Sequence, residues 1–417
     1  MPAAPAASAA STTSAATAGR LRAWWWHRQG LDDTLRGRAP AEVLERSGWA
    51  RSVGGAGPYL ALHARAGTSR ADADAAVARL EILELPSARG CTYVLPAADF
   101  ALGLAVGRDF AGADLRSAAK LGVTEEEVSR LGDAVLAALG GGPLEPDAIR
   151  EATGGLWRAL GDEGKKKGLT TTLPLALGRL QARGDLRRVP VNGRLDQQRY
   201  AYVRWTPNPL AADAGSTADA GSTADAYTAL ARRFFRWVGP ATPKEFQWFS
   251  GLGAKAVAQA MAPLGLVPAD GAAARLLLPE DAEAFRRFEP PAAPQYALVG
   301  SLDAIVAARR DLPSLLDDAD GARPVLADSG ERPVGGLSDL PSHAILDRGR
   351  LVGLWEYDPE ARAIAWSAWV PTTPALRAAV EATEAYVRDD LGDARSFSLD
   401  SPKSRRPRID ALRTATA

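Results

Sequence analysis

Three times along this chain, stretches with apolar residues at helical spacing are followed by two short alternating stretches divided by a turn signal. The first set reads as helices over 21–29, 40–47, 58–66 and 69–79. "RLEILELPSARGCTYVLPA" (79–97) then reads as two strands about a turn near Pro86–Gly90. The second set reads as helices around 97–107, 124–139 and 145–152, then a helix carrying Leu173, Leu177 and Leu180. It closes with "LRRVPVNGRLDQQRYAYVRW" (186–205), a hairpin about Asn192-Gly193. The third reads as helices over 226–237, 242–249 and 253–262, with "LGLVPADGAAARLLLP" (264–279) as a short strand pair.

Helix, turn, helix and a following hairpin is the winged-helix plan, and it is inferred here from pattern alone because no sequence repeat accompanies it. The expected fold is therefore α+β: three tandem winged-helix domains followed by a β-rich C-terminal region. In that last region "HAILDRGRLVGLWEYDPEARAIAWSAWV" (343–370) reads as an antiparallel meander with a turn at Asp358–Ala361, and a helix is expected at 375–391.

The expected divisions are a disordered tail at 1–20, winged helices at 21–110, 111–208 and 227–290, a β-rich domain at 291–400 and a basic, frayed end at 401–417. "AADAGSTADAGSTADA" (211–226) repeats AGSTAD back to back. It is small, polar and without pattern, so a low-complexity linker is placed at 209–226. The opening "MPAAPAASAASTTSAATAG" has neither a basic start nor a leucine-rich centre, and reads as a tail, not a signal peptide.

A chain of 417 residues is long enough for two to four units. Lys+Arg and Asp+Glu both total 50, so no global field draws it to nucleic acid or membrane, and any anion-binding surface must come from local segregation. The single cysteine, Cys91, excludes an intrachain disulfide, and in its strand it reads as a small apolar residue. His27, His63 and His343 stand far apart without ligand spacing, so no zinc site is expected. No apolar run reaches the ~18 residues that cross a bilayer. The expectation is a cytoplasmic, nucleoid-associated monomer.

Local segregation is strongest at "GKKKGLTTTLPLALGRLQARGDLRRVPVNGRLDQQRY" (164–200). Thr172 is a plausible N-cap and Pro174 falls in the first turn. Leu173, Leu177 and Leu180 form one stripe with Arg179, Gln181 and Arg183 away from it, and Gly184 ends the helix. Lys165, Lys166 and Lys167 lie just ahead of its positive end, with Thr171 and Thr172 between. Arg187 and Arg188 lie on the first strand of the hairpin, and Arg194, Gln197, Gln198 and Arg199 lie toward its tip. A helix N-terminus flanked by lysines suits phosphate oxygens, and arginines on helix and wing suit phosphates or guanine edges. The expected partner is double-stranded DNA.

Six further stretches resemble the tandem winged-helix DNA glycosylases of the AlkZ/YcaQ type. They are "HRQGL" (27–31), "PYLALHAR" (58–65), "RGCTYVLPAADF" (89–100), "GPATPKEFQWFSGL" (239–252), "SLDAIVAARRDL" (301–312) and "HAILDRGRLVGLWEY" (343–357). They span most of the chain in the family's order. The resemblance implies excision of alkylated purines, interstrand crosslinks included, without metal or cofactor. It also implies a catalytic Gln-hydrophobic-Gln or Gln-hydrophobic-Asp motif in the first winged helix. Counting back from "PYLALHAR", that motif falls in "SGWARSVGG" (47–55), where the two polar positions correspond to Trp49 and Arg51. No Gln, Asp or Glu lies between 46 and 68, and Gln29 belongs to another segment. An arginine repels an oxocarbenium-like sugar, so the resemblance leaves the catalytic residues unassigned. Three functions stay open: an active glycosylase with an altered site, a non-catalytic binder of damaged DNA, and a DNA-binding transcription regulator.

Among the remaining residues, "AWWWH" (23–27) places three tryptophans in different directions on one helix, so at least one is expected at the surface, with packing between modules the preferred role. Trp49 is a stacking residue or a core residue, and Arg89 a phosphate contact or a structural hydrogen-bond donor. Asp303, Arg309 and Arg310 read as an ion-paired set, and His343 as a buried, satisfied histidine.

Overall fold

The computed structural model describes residues 7–197, 199–212, 223–269 and 274–416. Helix α1 (Ala7–Arg28) begins well inside the expected tail. Alanine is the strongest helix former, and the segment carries no proline beyond Pro5, so the helix expected from residue 21 extends backwards. Residues 1–6 and 213–222 lie outside the described residues.

The first unit contains α2 (Pro40–Ser47), a two-residue strand β1 (Ala50–Arg51), α3 (Gly57–Ala66), α4 (Arg70–Ala78), β2 (Ile82–Pro86) and β3 (Thr92–Pro96), with antiparallel order β1-β3-β2. Local chemistry sets these boundaries. Pro58 sits in the first turn of α3, and Ser69 caps α4 by accepting the Asp72 N–H. A long helix, α5 (Phe100–Ala119), extends past the expected stop at 107 and connects to the second unit.

That unit runs α6 (Glu125–Ala138), α7 (Pro146–Ala152), α8 (Gly161–Lys166), α9 (Leu173–Ala182), β4 (Leu186–Pro190) and β5 (Tyr200–Arg204). Leu144, between α6 and α7, pairs with Tyr202. Thr124 caps α6, and three glutamates in its first turn face the positive end of the helix dipole. Leu173, Leu177 and Leu180 are buried together against Val128, Leu131 and Val135, as their spacing requires.

After α10 (Pro209–Ala212), the third unit runs α11 (Thr223–Val238), α12 (Pro243–Ser250), α13 (Ala254–Met261), β6 (Val267–Pro268) and β7 (Leu276–Leu277), and Ala241 pairs with Leu276. Thr242 and Glu245 form a capping box on α12. This unit shares one core with the sheet of the first unit: Leu85 and Tyr93 pack with Phe234, Phe246 and Phe249.

Beyond α14 (Pro279–Arg287), the chain forms β8 (Tyr296–Val299), α15 (Ala304–Ala307), β9 (Pro324–Ala327), β10 (Gly330–Pro333), β11 (His343–Asp347), β12 (Arg350–Asp358) and β13 (Ala363–Ala368). The main sheet is antiparallel, in order β13-β12-β11-β8, with β9 and β10 as a separate hairpin. Two helices follow, α16 (Pro374–Tyr386) and α17 (Pro402–Thr416).

The end expected to fray is therefore a helix. Its arginines neutralise acids of β12 and of the segment after α16, which fixes the helix in place. Arg405 is fully buried and donates to Asp393 Oδ2 at 3.0 Å; Arg406 pairs with Asp358 and Arg408 with Glu356, each at 2.9 Å.

The three adjacent tryptophans all turn inward, contrary to the expectation of an exposed one. Trp24 and Trp25 donate their indole N–H to the carbonyls of Gly239 and Pro240, at 3.0 and 3.2 Å, and Trp26 donates to Gln295 Oε1 at 3.1 Å. Helix α1 crosses between the third unit and the C-terminal region, so each of its three directions meets protein.

Candidate nucleic-acid interface

The expected basic surface of the second unit is largely ion-paired. Lys165 and Lys166 bond Asp162 (3.1 Å) and Glu163 (2.6 Å), one turn back on α8, and exposed Lys167 caps that helix. The three lysines thus sit at the C-terminal end of α8, where cations complement the dipole, and not at the start of α9. Arg179 pairs with Glu125 (2.5 Å), Arg183 with Asp185 (3.1 Å) and Arg199 with Glu145 (2.9 Å). Exposed pairs of this kind contribute little, so they leave these side chains able to exchange partners.

Two residues are withdrawn from the surface. Thr172 occupies the N-cap position of α9 but is buried, and its hydroxyl accepts the Arg158 N–H at 3.1 Å instead of capping. Thr171 bridges to Ala159.

The hairpin also departs from expectation. Strand β4 ends at Pro190 and β5 begins at Tyr200, so the Asn-Gly pair opens a long loop instead of a tight tip. That loop docks inward. Leu195 is fully buried and donates its N–H to Tyr59 Oη at 2.8 Å, while Arg395 donates to the Asp196 carbonyl at 2.8 Å. Arg194 donates to Asp196 Oδ1 (2.9 Å) and the Leu391 carbonyl (2.9 Å), which ties it to the turn that follows α16 and removes it from any exposed tip. On β4, Arg188 lies over the Tyr200 ring at 5.2 Å; half-buried Arg187 is held below the usual arginine range by desolvation. Gln197 is exposed and Gln198 lies outside the described residues.

The position expected for the catalytic motif lies elsewhere, where the first unit, the third unit and the C-terminal region meet. A cleft of about 60 Å³ is lined by Trp49, Arg51, Arg89, Tyr93, Trp248 and Asp339, among others, far below the ~300–1,000 Å³ of sites that enclose drug-sized ligands. Trp49 is only 3% exposed and packs against Tyr93, Trp237 and Phe249. Its indole donates to Asp99 Oδ2 at 2.8 Å, so it serves as a core residue with a satisfied polar edge. Arg51, on β1 opposite Tyr93, donates to the Thr92 carbonyl at 3.2 Å and lies 5.3 Å from the Tyr93 ring.

Acceptors are scarce here. Asp99 is fully buried behind Trp49, with its second oxygen held by Arg233 at 2.8 Å. Asp339 is bound by Arg310 at 3.0 Å. Burial pushes the Tyr93 hydroxyl up to about 12, so it remains protonated at neutral pH. A cleft of arginines and a neutral phenol can receive an anion, but it is poorly suited to a cationic sugar.

Behind Arg51, Arg65 and Asp303 form a buried bidentate pair at 2.7 and 2.8 Å, and Gln29 accepts from the same guanidinium through its carbonyl and Oε1. Gln29 also donates to the Trp237 carbonyl at 2.8 Å, so all of it is engaged structurally. Arg309 stacks on Trp25 at 3.5 Å, and Arg310, its neighbour, points to the cleft. His343 accepts the Ser301 N–H on Nδ1 at 3.0 Å and bonds the Ala394 carbonyl through Nε2, as expected of a satisfied core histidine.

Sequence reasoning missed Trp248. Its indole has the Arg89 guanidinium 3.5 Å from its centroid and that of Arg310 at 3.7 Å. Two guanidiniums cannot share one face at those distances, so the ring is sandwiched. Both arginines adopt left-handed backbone, at φ 56° and 52°, costing about 1–3 kcal/mol each. Gly251, at φ 76°, ends α12 and lets the Arg89 turn approach; a Cβ there would come within 3.2 Å of Arg89 Cα. The only signal in the sequence was tryptophan and arginine content within the family-like stretches.

Among the described residues no helix is long and apolar enough to cross a membrane. A search of curated proteins finds no match. Among solved structures, the chain is similar to the Streptomyces sahachiroi DNA glycosylase AlkZ, with a TM-score of 0.66 at 20% identity, over 91% of this chain and 98% of that one. At that identity the likeness establishes a shared fold. The sequence also matches the model of the family described as DNA glycosylase AlkZ-like across residues 50–388, and the chain belongs to that family.

Proposed function

We propose that this chain binds damaged duplex DNA as a monomer, in recognition or repair, and that its own base excision is weak. The reading rests on one observation above the others. Where the family resemblance calls for two acceptor side chains, this chain has a buried indole at Trp49 and a guanidinium at Arg51. We read the three units as winged helices. In support, each runs helix, a short pairing segment, further helices and a hairpin, with α9 as the recognition helix of the second.

The energetic consequence can be sized. A unit charge 4 Å from a developing sugar cation opposes it by about 4 kcal/mol at an effective dielectric of 20. At 1.36 kcal/mol per decade, this is roughly a thousandfold loss of rate. A cationic N7-alkylpurine already has a weakened glycosidic bond and needs less help from the protein.

The test is base release from duplexes carrying N7-methylguanine or the neutral O6-methylguanine. Slow release of the first and none of the second is expected. Rapid turnover of the neutral adduct would sink the reading. The regulator alternative has no particular observation in its favour.

A further inference from the structure

We propose that the Arg89–Trp248–Arg310 sandwich is a phosphate clamp that grips one backbone segment of the duplex beside the cleft at Trp49. The inference rests on the DNA-binding reading above and adds the place of contact, which lies outside the basic stretch of the second unit.

Four observations converge. Two guanidiniums are held against one indole although like charges repel, and the acid that lines the cleft beside them, Asp339, is half exposed and bonded to Arg310. Arg51 adds a third cation to the same cleft. Both arginines keep part of their surface exposed, and apart from the ring Arg89 meets only the Cys91 sulfur at 3.7 Å, a weak acceptor; Arg89 Nη1 and Arg310 Nε are buried, so contact with an anion falls to the remaining donors. Both arginines are set in left-handed backbone, an arrangement that persists only where the surrounding structure imposes it.

A phosphodiester oxygen meets these requirements. It is an anion, it accepts the planar fork of arginine, and it supplies charge where the protein leaves an excess. The indole keeps both guanidiniums ordered before DNA arrives, so little side-chain entropy is lost on binding. The stack also joins three segments remote in sequence: the first unit's hairpin turn, α12 of the third unit, and the turn after α15. A backbone gripped here would lie against all three.

The test is duplex affinity as a function of salt for the native chain, the single variants Arg89→Gln and Arg310→Gln, and the double variant, each checked for native circular dichroism and unfolding midpoint. Each neutralised phosphate contributes about 0.9 to the slope of log affinity against log salt. The single variants are expected to lose about one unit of slope and the double variant about two. A double variant that binds and responds to salt as the native chain does overturns the clamp while leaving DNA binding intact. A native chain with no affinity for duplex overturns both readings. Should the variants fail to fold, phenylglyoxal modification of the native chain decides. Protection of Arg89 and Arg310 by duplex supports the clamp, and equal modification with and without duplex refutes it.

Discussion

Removing the carboxylate of Asp303 should be among the most damaging single changes in the molecule, because of what it strands. Arg65 is 1% exposed, and all five of its N–H donors are engaged: by Asp303 twice, by Gln29 twice and by the Ala61 carbonyl. In Asp303→Ala the guanidinium stays buried with its counter-ion gone, a situation that costs about 3–5 kcal/mol. Asp303 also caps α15 by accepting the Ile305 N–H at 3.1 Å, and losing a cap adds about 1 kcal/mol. Replacing both partners, Arg65→Met with Asp303→Leu, removes both charges together. This double change should recover most of the buried-charge loss, short by about 1–3 kcal/mol because Gln29 Oε1 then lacks its donor, while the cap on α15 stays lost. Equilibrium urea unfolding of the two variants beside the native chain measures the combined loss in the single variant and the shortfall of the double one. A loss below about 1 kcal/mol in Asp303→Ala, or a double variant no better than the single, would show that the pair is not the lock between the first unit and the C-terminal region.

Other outcomes follow from the same reasoning. Burial holds His343 below its ordinary value, and its Nδ1 must stay unprotonated to accept from Ser301. The unfolded chain therefore takes up the proton first, so stability falls as pH drops below about 6.5, and His343→Gln should flatten that slope in unfolding midpoints between pH 7 and 5. Replacing Lys165, Lys166 and Lys167 together by alanine should leave the unfolding midpoint unchanged, since the Lys165–Asp162 and Lys166–Glu163 pairs are exposed. If α8 touches phosphate, the same variant weakens all duplex sequences equally and lowers the salt slope; an unchanged slope would confine the contact to the cleft.

Local chemistry carried much of the fold. Helix α2 falls on the expected 40–47, Ser69, Thr124 and Thr242 cap the helices that follow them, and the Leu173–Leu177–Leu180 stripe is buried. Each of these depends on residues within a few positions of one another, so the linear chain already contains the cause. The family-like segments were legible for the same reason.

What the line of residues did not contain was which element covers which. Trp24, Trp25 and Trp26 point three ways on α1 and are all buried, because the third unit and the C-terminal region close around that helix. The loop after β4 carries an ordinary turn signal, yet it is held by Tyr59, Leu391 and Arg395, far away in sequence. The basic end became a docked helix because Arg406 and Arg408 pair with acids of β12, some fifty residues away in sequence. The same limit applies to the cleft. Arg89, Trp248 and Arg310 carry no shared periodicity or spacing, and only the docking of three units brings two cations onto one ring. Charge pairing and docking depend on distance through space, a quantity that separation along the chain leaves open.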